Sequence, residues 1–188
     1  MNGYSVQHIS YNATKPFILD IHYAKRMPSI SHSFGLFYEK NLIGIVTYGS
    51  PASYTLCKGI AGNENRQNVI ELNRLVLKKN LKNEASFLVG NSLKLLAKPK
   101  IIVSYADTAQ NHTGYVYQAC NFYFTGTTKP RTDMASKNGK HSRHSLGDKN
   151  KRVKRSAKHR YVYLIGSKKQ IKYLKSCLNY PILKYPKI

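Results

Sequence analysis

The sequence predicts an α/β fold built on a mixed central sheet. Three observations predict it. Short β-rich runs bounded by turn residues recur along the chain. One long amphipathic stretch with helical period lies between two of them. The run Ile101–Tyr105 is short and nearly all apolar, as expected of a strand covered on both faces. With 188 residues, 41% of them apolar, the chain is long enough for one full core, and a single domain is expected over residues 1–188.

The elements follow in order. Phe34–Tyr38 and Leu42–Tyr48 form a hairpin around the polar turn Glu39-Lys40-Asn41, and Gly49-Ser50-Pro51 ends its second strand. Val69–Leu77 is a third strand and Ile101–Tyr105 a fourth. Between them, Glu84–Lys98 places Ala85, Leu88, Val89, Ser92, Leu95 and Leu96 on one helical face, with Asn83 as N-cap. Gly114–Cys120 reads as a short helix stopped near Asn121, and Phe122–Thr125 as a strand. Residues 129–160 are a basic insertion with several Ser and Gly and few large apolar groups. Tyr161–Ile165 is a late strand, and Ile171, Leu174 and Leu178 mark one face of a closing helix. There is no internal repeat.

Charge points to the partner. The chain carries 31 Lys+Arg against 8 Asp+Glu, a formal charge of +23. A body of this size repels itself strongly unless a polyanion screens it. Nucleic acid is the leading partner and an anionic membrane surface the second. No apolar run approaches the roughly 18 residues that a membrane span needs, so no spanning segment is expected, and nucleic acid rather than membrane is taken as the partner. The start Met1-Asn2-Gly3-Tyr4 lacks a signal-peptide pattern. Cys57, Cys120 and Cys177 are odd in number and far apart, which reads as reduced thiols in a cytoplasmic protein.

Few groups are available for acid–base chemistry. Asp20, Glu39, Glu64, Asp133 and Asp148 fall in loops or turns. Asp107 stands apart, two residues past the C-terminal end of the fourth strand, the edge where α/β sheets bind ligands. The fourteen positions Ser104–Tyr117 gather hydroxyls, amides, a carboxylate and an imidazole. The plainer alternative is a loop in which Asp107 and Asn111 satisfy backbone donors. Arg74 is the second oddity, since alternation along Val69–Leu77 sets it with Ile70, Leu72 and Val76 on the face to be buried. A charge there must be paired or face a cavity, and Glu71, on the opposite face, is not its partner. Ser92 points at the sheet from the apolar side of its helix. That position also suits a small hydroxyl bonded to the preceding turn.

Other motifs are absent or generic. His141, Arg143 and His144 lack Cys or carboxylate partners at ligand spacing, so no metal is inferred. There is no P-loop and no G-x-G-x-x-G. Lys137–Arg160 holds ten Lys/Arg against one acid, Asp148, inside the fold rather than in a tail. Lys140, Arg143, Lys151, Arg152, Lys154, Arg155, Lys158 and Arg160 are therefore candidate phosphate contacts, although such runs are often simply solvated surface.

Four segments, Val69–Val76, Ser104–Gln110, Gly114–Ala119 and Lys158–Tyr163, resemble the Mom family of phage and prophage DNA-modification proteins. Thr47–Pro51 and Leu56–Gly59 fit the same pattern, and together the matches span about residues 34–165. The resemblance implies a GNAT-like acyltransferase fold, in which two parallel core strands splay apart and the donor enters the gap. Those strands would be Val69–Leu77 and Ile101–Tyr105. It also implies transfer of a carbamoylmethyl group to adenine N6 in duplex DNA, shielding phage DNA from restriction in a bacterial host. Tyr48, Arg74, Ser92, Asp107 and Tyr117 match the family's functional positions. Asp107 would accept a proton or orient the adenine amino group, Tyr117 donate a proton or stack, Arg74 stabilise a carbonyl oxygen or phosphate, and Ser92 position the donor. Tyr48, Tyr105, Asn111 and His112 are the candidates for holding a base flipped out of the duplex.

One departure bears on the donor. Coenzyme A-dependent members of that fold carry a glycine turn after the first splayed strand, whose amides hold pyrophosphate. Here the segment is Lys78-Lys-Asn-Leu-Lys-Asn-Glu-Ala-Ser86, without glycine. Two donors are expected, glycyl-tRNA first and acetyl-CoA second, so that tRNA joins duplex DNA as a partner. A non-enzymatic nucleic-acid-binding protein, and an acyltransferase acting on RNA or protein, are the rival readings.

Overall fold

The computed structural model describes residues 1–135 and 148–186. Its strands are β1 (Tyr4–His8), β2 (His32–Tyr38), β3 (Asn41–Gly49), β4 (Val69–Leu77), β5 (Lys100–Asp107), β6 (Tyr123–Thr127), β7 (Arg131–Ala135), β8 (Asp148–Arg155) and β9 (Lys158–Ile165). Its helices are α1 (Tyr11–Pro16), α2 (Tyr54–Asn65), α3 (Glu84–Leu95), α4 (Tyr115–Ala119) and α5 (Lys168–Ser176), with a π-turn at Phe17–Ile21. Seven strands form one sheet in the order β1-β2-β3-β4-β5-β9-β6, while β7 and β8 pair with each other as an arm. Only the β4–β5 pair is parallel among these described strands.

The predicted hairpin, third strand, long helix and buried fourth strand are all present. α1, the Phe17–Ile21 turn and four further elements were not legible. β1 is five residues at the sheet edge, paired from Tyr4↔Tyr38 to His8↔Phe34, too short to show alternation. α2 contains Gly59 and Gly62, and the left-handed Gly62 (φ 72°) bends it, so its sequence reads as loop. Ser53 nevertheless caps it, accepting the Leu56 N–H at 3.2 Å. β7 and β8 lie inside the basic insertion and have no apolar face to betray them.

Two details of α3 differ from expectation. Asn83 precedes it in a left-handed conformation (φ 69°) and makes no side-chain cap bond. The buried Glu84 carboxylate works there instead, accepting the Leu81 N–H at 2.8 Å and the Tyr4 hydroxyl at 3.2 Å. Leu95 is exposed, and Leu93 takes the inner place beside Leu88, Val89 and Leu96. Each such burial contributes roughly 1.5–3 kcal/mol.

The sheet has a core on each face. α3 and α4 cover Phe34, Val46, Tyr48, Leu72 and Ile102 on one side. On the other, α2 and α5 cover Val69, Ile101, Val103, Val162 and Leu164, and Phe17 with Ile18 covers Ile45 and Val76. β4 and β5 pair over Val69↔Ile101, Ile70↔Ile102 and Glu71↔Val103.

A bulge in β4 changes which way its residues face. Thr47 of β3 lies opposite Arg74 but its neighbour Tyr48 lies opposite Leu72, so Asn73 is the extra residue. An inserted residue moves everything after it to the other face. Ile70 and Leu72 pack under α3, whereas Val76 belongs to the opposite core. Arg74 therefore does not share a face with Leu72, as alternation predicted. It lies on the same face as Glu71 and Val76.

Candidate active site

Past Glu71↔Val103 the two parallel strands separate, leaving a crevice of about 1700 Å³ between them. Leu72, Ala85 and Val116 line it from the α3 side, and Leu56, Glu71 and Tyr105 from the α2 side. A gap walled from both sheet faces suits two reactants that meet in the middle. Its described lining carries seven Lys/Arg against two acids, so it favours an anionic guest.

Polar groups mark the point of separation. The Leu72 carbonyl has lost its strand partner there, and the Ser104 hydroxyl donates to it at 2.9 Å. The Tyr117 phenol lies beside Ser104, with its ring against Phe122 (5.4 Å) and Tyr161 (5.3 Å). Burial pushes its pKa up to about 12, so at neutral pH it holds its proton. The helix carrying it starts at Gly114, whose φ is +83°. A Cβ there would meet the Tyr161 ring at 2.3 Å, so only glycine fits.

The bulge builds the opposite wall. Thr47 Oγ1 donates to Asn73 Oδ1 at 2.6 Å, and Asn73 Nδ2 donates to Ser29 O at 2.7 Å, tying residues 22–29 to the sheet. Gly49 allows this approach, since a Cβ would stand 1.9 Å from Ser29 O. Arg74 donates to Arg26 O at 2.9 Å and to Asn73 O at 2.6 Å. Its Nε is buried without a hydrogen-bond partner among the described residues. Burial, then the Arg26 charge, lower its pKa, and Tyr23 and Glu71 offset this only in part. A buried donor left open in this way is ready for an acceptor from outside the chain.

His22 sits next to it and was missed in the sequence, where it reads as an ordinary loop residue. Only the crossing of residues 22–29 over β4 brings it to the crevice. Burial, then the charge on Arg74 and His112, push its pKa down to about 4, so it is neutral at pH 7. Its Nδ1 accepts the Ala24 N–H at 3.0 Å, which leaves the ring proton on Nε2. His22 is thus a neutral donor. Tyr23 stacks on it at 4.4 Å and meets His112 edge-on at 6.2 Å, half-exposed at the crevice mouth.

A pH dependence follows from His22. Between pH 6.5 and about 4 the unfolded chain binds a proton here that the folded chain does not. Its contribution to stability is complete above pH 6.5 and is lost as pH falls toward 4. Allowing for solvent screening of a partly buried ring, denaturant melts of wild type should lose about 1–2 kcal/mol more than His22→Gln across that window. Parallel curves for the two proteins would refute the assignment.

Asp107 is placed differently from expectation. Oδ1 accepts the Ser156 hydroxyl at 2.5 Å and the Ala109 N–H at 3.0 Å, and Oδ2 pairs with Lys158 Nζ at 3.1 Å. Its neighbours Ala106, Ser156 and Lys158 line the crevice, whereas Asp107 is not among the described lining residues. Burial alone raises its pKa, but the bonds from Ser156, Lys158 and Ala109 outweigh that and hold it below the ordinary value. This geometry describes a clamp on the loop that carries Asn111 and His112, not a free base. Asn111 and His112 do line the crevice, Asn111 in a left-handed turn (φ 54°), and so does Tyr105.

Tyr48 and Ser92 lie together elsewhere. Both are fully buried, with their oxygens 2.6 Å apart. Ser92 Oγ donates to Val89 O at 2.8 Å, so its single proton is used and Tyr48 donates to it. Neither residue lines the crevice, so the structure does not bring them to a donor or a base. Ser92→Ala should leave the Tyr48 hydroxyl buried and unpaired, costing about 1–3 kcal/mol and lowering the thermal midpoint by several degrees. A midpoint equal to wild type would show that Tyr48 finds another acceptor.

The basic candidates also divide. Lys140, Arg143 and the Lys151 side chain lie outside what the structure describes. Arg152 and Lys154 are exposed on β8. Arg155 pairs with Asp133 at 3.2 Å, and both line the crevice. Lys158 is held by Asp107. Arg160 donates to Thr125 Oγ1 (2.9 Å) and Thr125 O (2.8 Å), with its guanidinium 3.3 Å over the Tyr180 ring. It is an internal brace and offers little to a phosphate.

Solved acetyltransferases share this architecture. A putative acetyltransferase from Salmonella typhimurium, with its cofactor acetyl-CoA, superposes with a TM-score of 0.54 at 8% identity, over 88% of this chain and 96% of that one. An N-acetyltransferase from Staphylococcus aureus gives 0.52 at 15% identity, over 86% and 98%. The fold is therefore the GNAT acetyltransferase fold that the resemblance implied. The turn that would cradle coenzyme A pyrophosphate does not fit it in this chain. Asn80 and Asn83 are left-handed there, and the buried Glu84 carboxylate already occupies the Leu81 N–H just before α3. A carboxylate there repels a diphosphate.

In sequence, the methylcarbamoylase mom of Escherichia phage Mu is 28% identical over 128 residues, 65% of this chain. The chain spans about half (53%) of that protein's length. The model of the Mom protein family matches residues 3–187, nearly the whole chain, and with the splayed strands and Ser104–Tyr117 loop now in place the chain belongs to that family.

Proposed function

We propose that this protein is a DNA-modifying transferase that converts adenine N6 in duplex DNA to its carbamoylmethyl derivative, protecting phage or prophage DNA from restriction. The observation that carries the reading is the set of donors around the strand gap. Arg74 with its open Nε–H, the neutral His22 Nε2–H and the protonated Tyr117 belong to one crevice. Acyl transfer needs such donors where a carbonyl oxygen gains charge and where a leaving group takes a proton.

The favoured donor is glycyl-tRNA, because the product is a glycinamide and the pyrophosphate cradle is missing. Adenine N6 attacks the glycyl ester carbon, Arg74 and His22 hold the carbonyl oxygen, the tRNA ribose oxygen leaves with a proton from Tyr117, and the proton that N6 releases returns Tyr117 to its neutral form. The glycyl amine then attacks adenine C6 through a five-membered ring. The original C6–N6 bond breaks, its nitrogen becoming the terminal amide, and no atom or electron is left over. Acetyl-CoA is the alternative donor, but an acetyl group lacks the amide nitrogen. The target base must flip to reach the gap, and Tyr23, Asn111 and His112 stand at the mouth to receive it. Arg152 and Lys154 on the arm contact backbone phosphates.

Mass spectrometry of nucleosides from plasmid DNA, with and without the protein expressed, tests the reading. An adenine nucleoside heavier by the carbamoylmethyl substituent is expected. Unmodified DNA alongside modified RNA or protein would move the acceptor, and no modified polymer at all would favour a binding protein. With purified components, charged tRNA should support the reaction and acetyl-CoA should not. Tyr117→Phe should lower kcat about 10²-fold with KM for DNA unchanged, since only the proton donor is removed. A wild-type rate would release Tyr117 from that role.

A further inference from the structure

A second charged surface lies away from the crevice, on α5. This helix reads Lys-Lys-Gln-Ile-Lys-Tyr-Leu-Lys-Ser, with no acid. Lys168, Lys169, Lys172 and Lys175 are all exposed and fall within an arc of about 120° at 100° per residue. Ile171 and Leu174 face the core on the other side. Nothing in the helix itself rewards this arrangement. Two of the lysines sit in the first turn, where the macrodipole favours anions, and the spacings of three and four residues set like charges side by side. The Ser167 capping box with Gln170 holds the helix in place despite them.

The surface continues onto α2. Asn65 Nδ2 donates to the Tyr173 hydroxyl at 3.4 Å, joining α2 to α5, and Asn179 Nδ2, just past α5, donates to Lys58 O at 3.2 Å. Lys58 is exposed there, and Arg66 lies 4.5 Å over the Tyr54 ring. Lys175 is likewise held over Tyr123, at 4.9 Å. α2 contributes one acid, Glu64. Rings that hold cations in place lower the cost of ordering long side chains on binding.

Position decides what this face meets. α2, α5 and the Phe17–Ile21 turn all pack on the face opposite α3, and residues 22–29, which follow that turn, form the crevice wall. Tyr123, under Lys175, pairs with Val162 and Val162 with Val103, the level at which β4 and β5 part, so a rod laid across this face along the Lys175 end of the stripe runs toward the crevice. Resting on the reading above, we infer that α5 and the adjoining end of α2 bind the backbone of the duplex flanking the target adenine. α5 is about 13.5 Å long, which spans about four base pairs.

Fluorescence anisotropy on the full chain tests this, with duplexes of about 10 and about 30 base pairs and the K168Q/K169Q/K172Q/K175Q variant. The short duplex reaches only the crevice and arm. The variant should bind the long duplex about 10- to 100-fold more weakly, with the log–log salt slope reduced by about 2–4, and bind the short one as wild type does. Replacing the same four lysines by arginine should retain the affinity, which separates lost charge from a lost fold. Equal binding of the long duplex by wild type and variant would overturn the inference and leave the proposed activity standing. So would weaker binding of a folded RNA with the duplex unaffected. A wild-type chain that binds no duplex would overturn both.

Discussion

Arg74→Met should lower kcat/KM for DNA modification by about 10²–10³-fold, the usual consequence of removing one donor to a developing oxyanion. Its thermal midpoint should stay within a few degrees of wild type. The guanidinium is costly to bury, as its depressed pKa records, and its bonds to Arg26 O and Asn73 O return only part of that cost. Activity and stability should therefore separate at this position. Arg74→Lys should behave like Met in the assay, because an ammonium cannot keep both carbonyls and present a third N–H in the guanidinium plane. Full activity in either variant would remove Arg74 from the chemistry. A collapse of both activity and stability would make it a structural brace.

Asp107→Ala should act through structure. It deletes the acceptor of Ser156, Lys158 and the Ala109 N–H together, and hydrogen bonds to charged groups are worth about 1.5–3 kcal/mol. A loss of about 2–3 kcal/mol, or about 5–10 °C in thermal midpoint, is expected, with activity falling as the Asn111–His112 loop loosens. Asp107→Asn keeps an acceptor for Ala109 and should lose about half as much. Since the folded carboxyl titrates below its ordinary value of 3.8, the stability it contributes is complete above that pH and is lost as pH falls through the folded value. A general base would behave otherwise. Asp107→Asn would then abolish turnover with an unchanged melt, and that result would restore the role expected from the sequence.

The two residues show where sequence reading reaches its limit. Arg74 was recognised as a charge on an inward-facing strand, and it does line a cavity. Its face was misread because the Asn73 bulge is a property of the β3–β4 pairing and leaves no mark on strand alternation. Asp107 was recognised as a carboxylate at a strand end. Its partners Ser156 and Lys158 come from 49 and 51 positions further on, and no local pattern links them. His22 was missed for the same reason, since its place depends on Asn73 and Gly49 drawing Ser29 onto the sheet. Arg160, counted among the phosphate contacts by its setting in a basic run, turned inward because β9 alternates and Thr125 and Tyr180 lie on that side.

By itself the sequence determined the fold class, the strands that form the gap, the loop that borders it, the family and the strong positive charge. These rest on periodicity, composition and contiguous motifs, all of which are local along the chain. Tertiary structure alone decided which side of the sheet Arg74 takes, that Asp107 is clamped, that Tyr48 and Ser92 satisfy each other in the core, and that His22 keeps its proton on Nε2. Each of those depends on contacts between distant segments, where one inserted residue or one burial changes the chemistry of a side chain without changing its name.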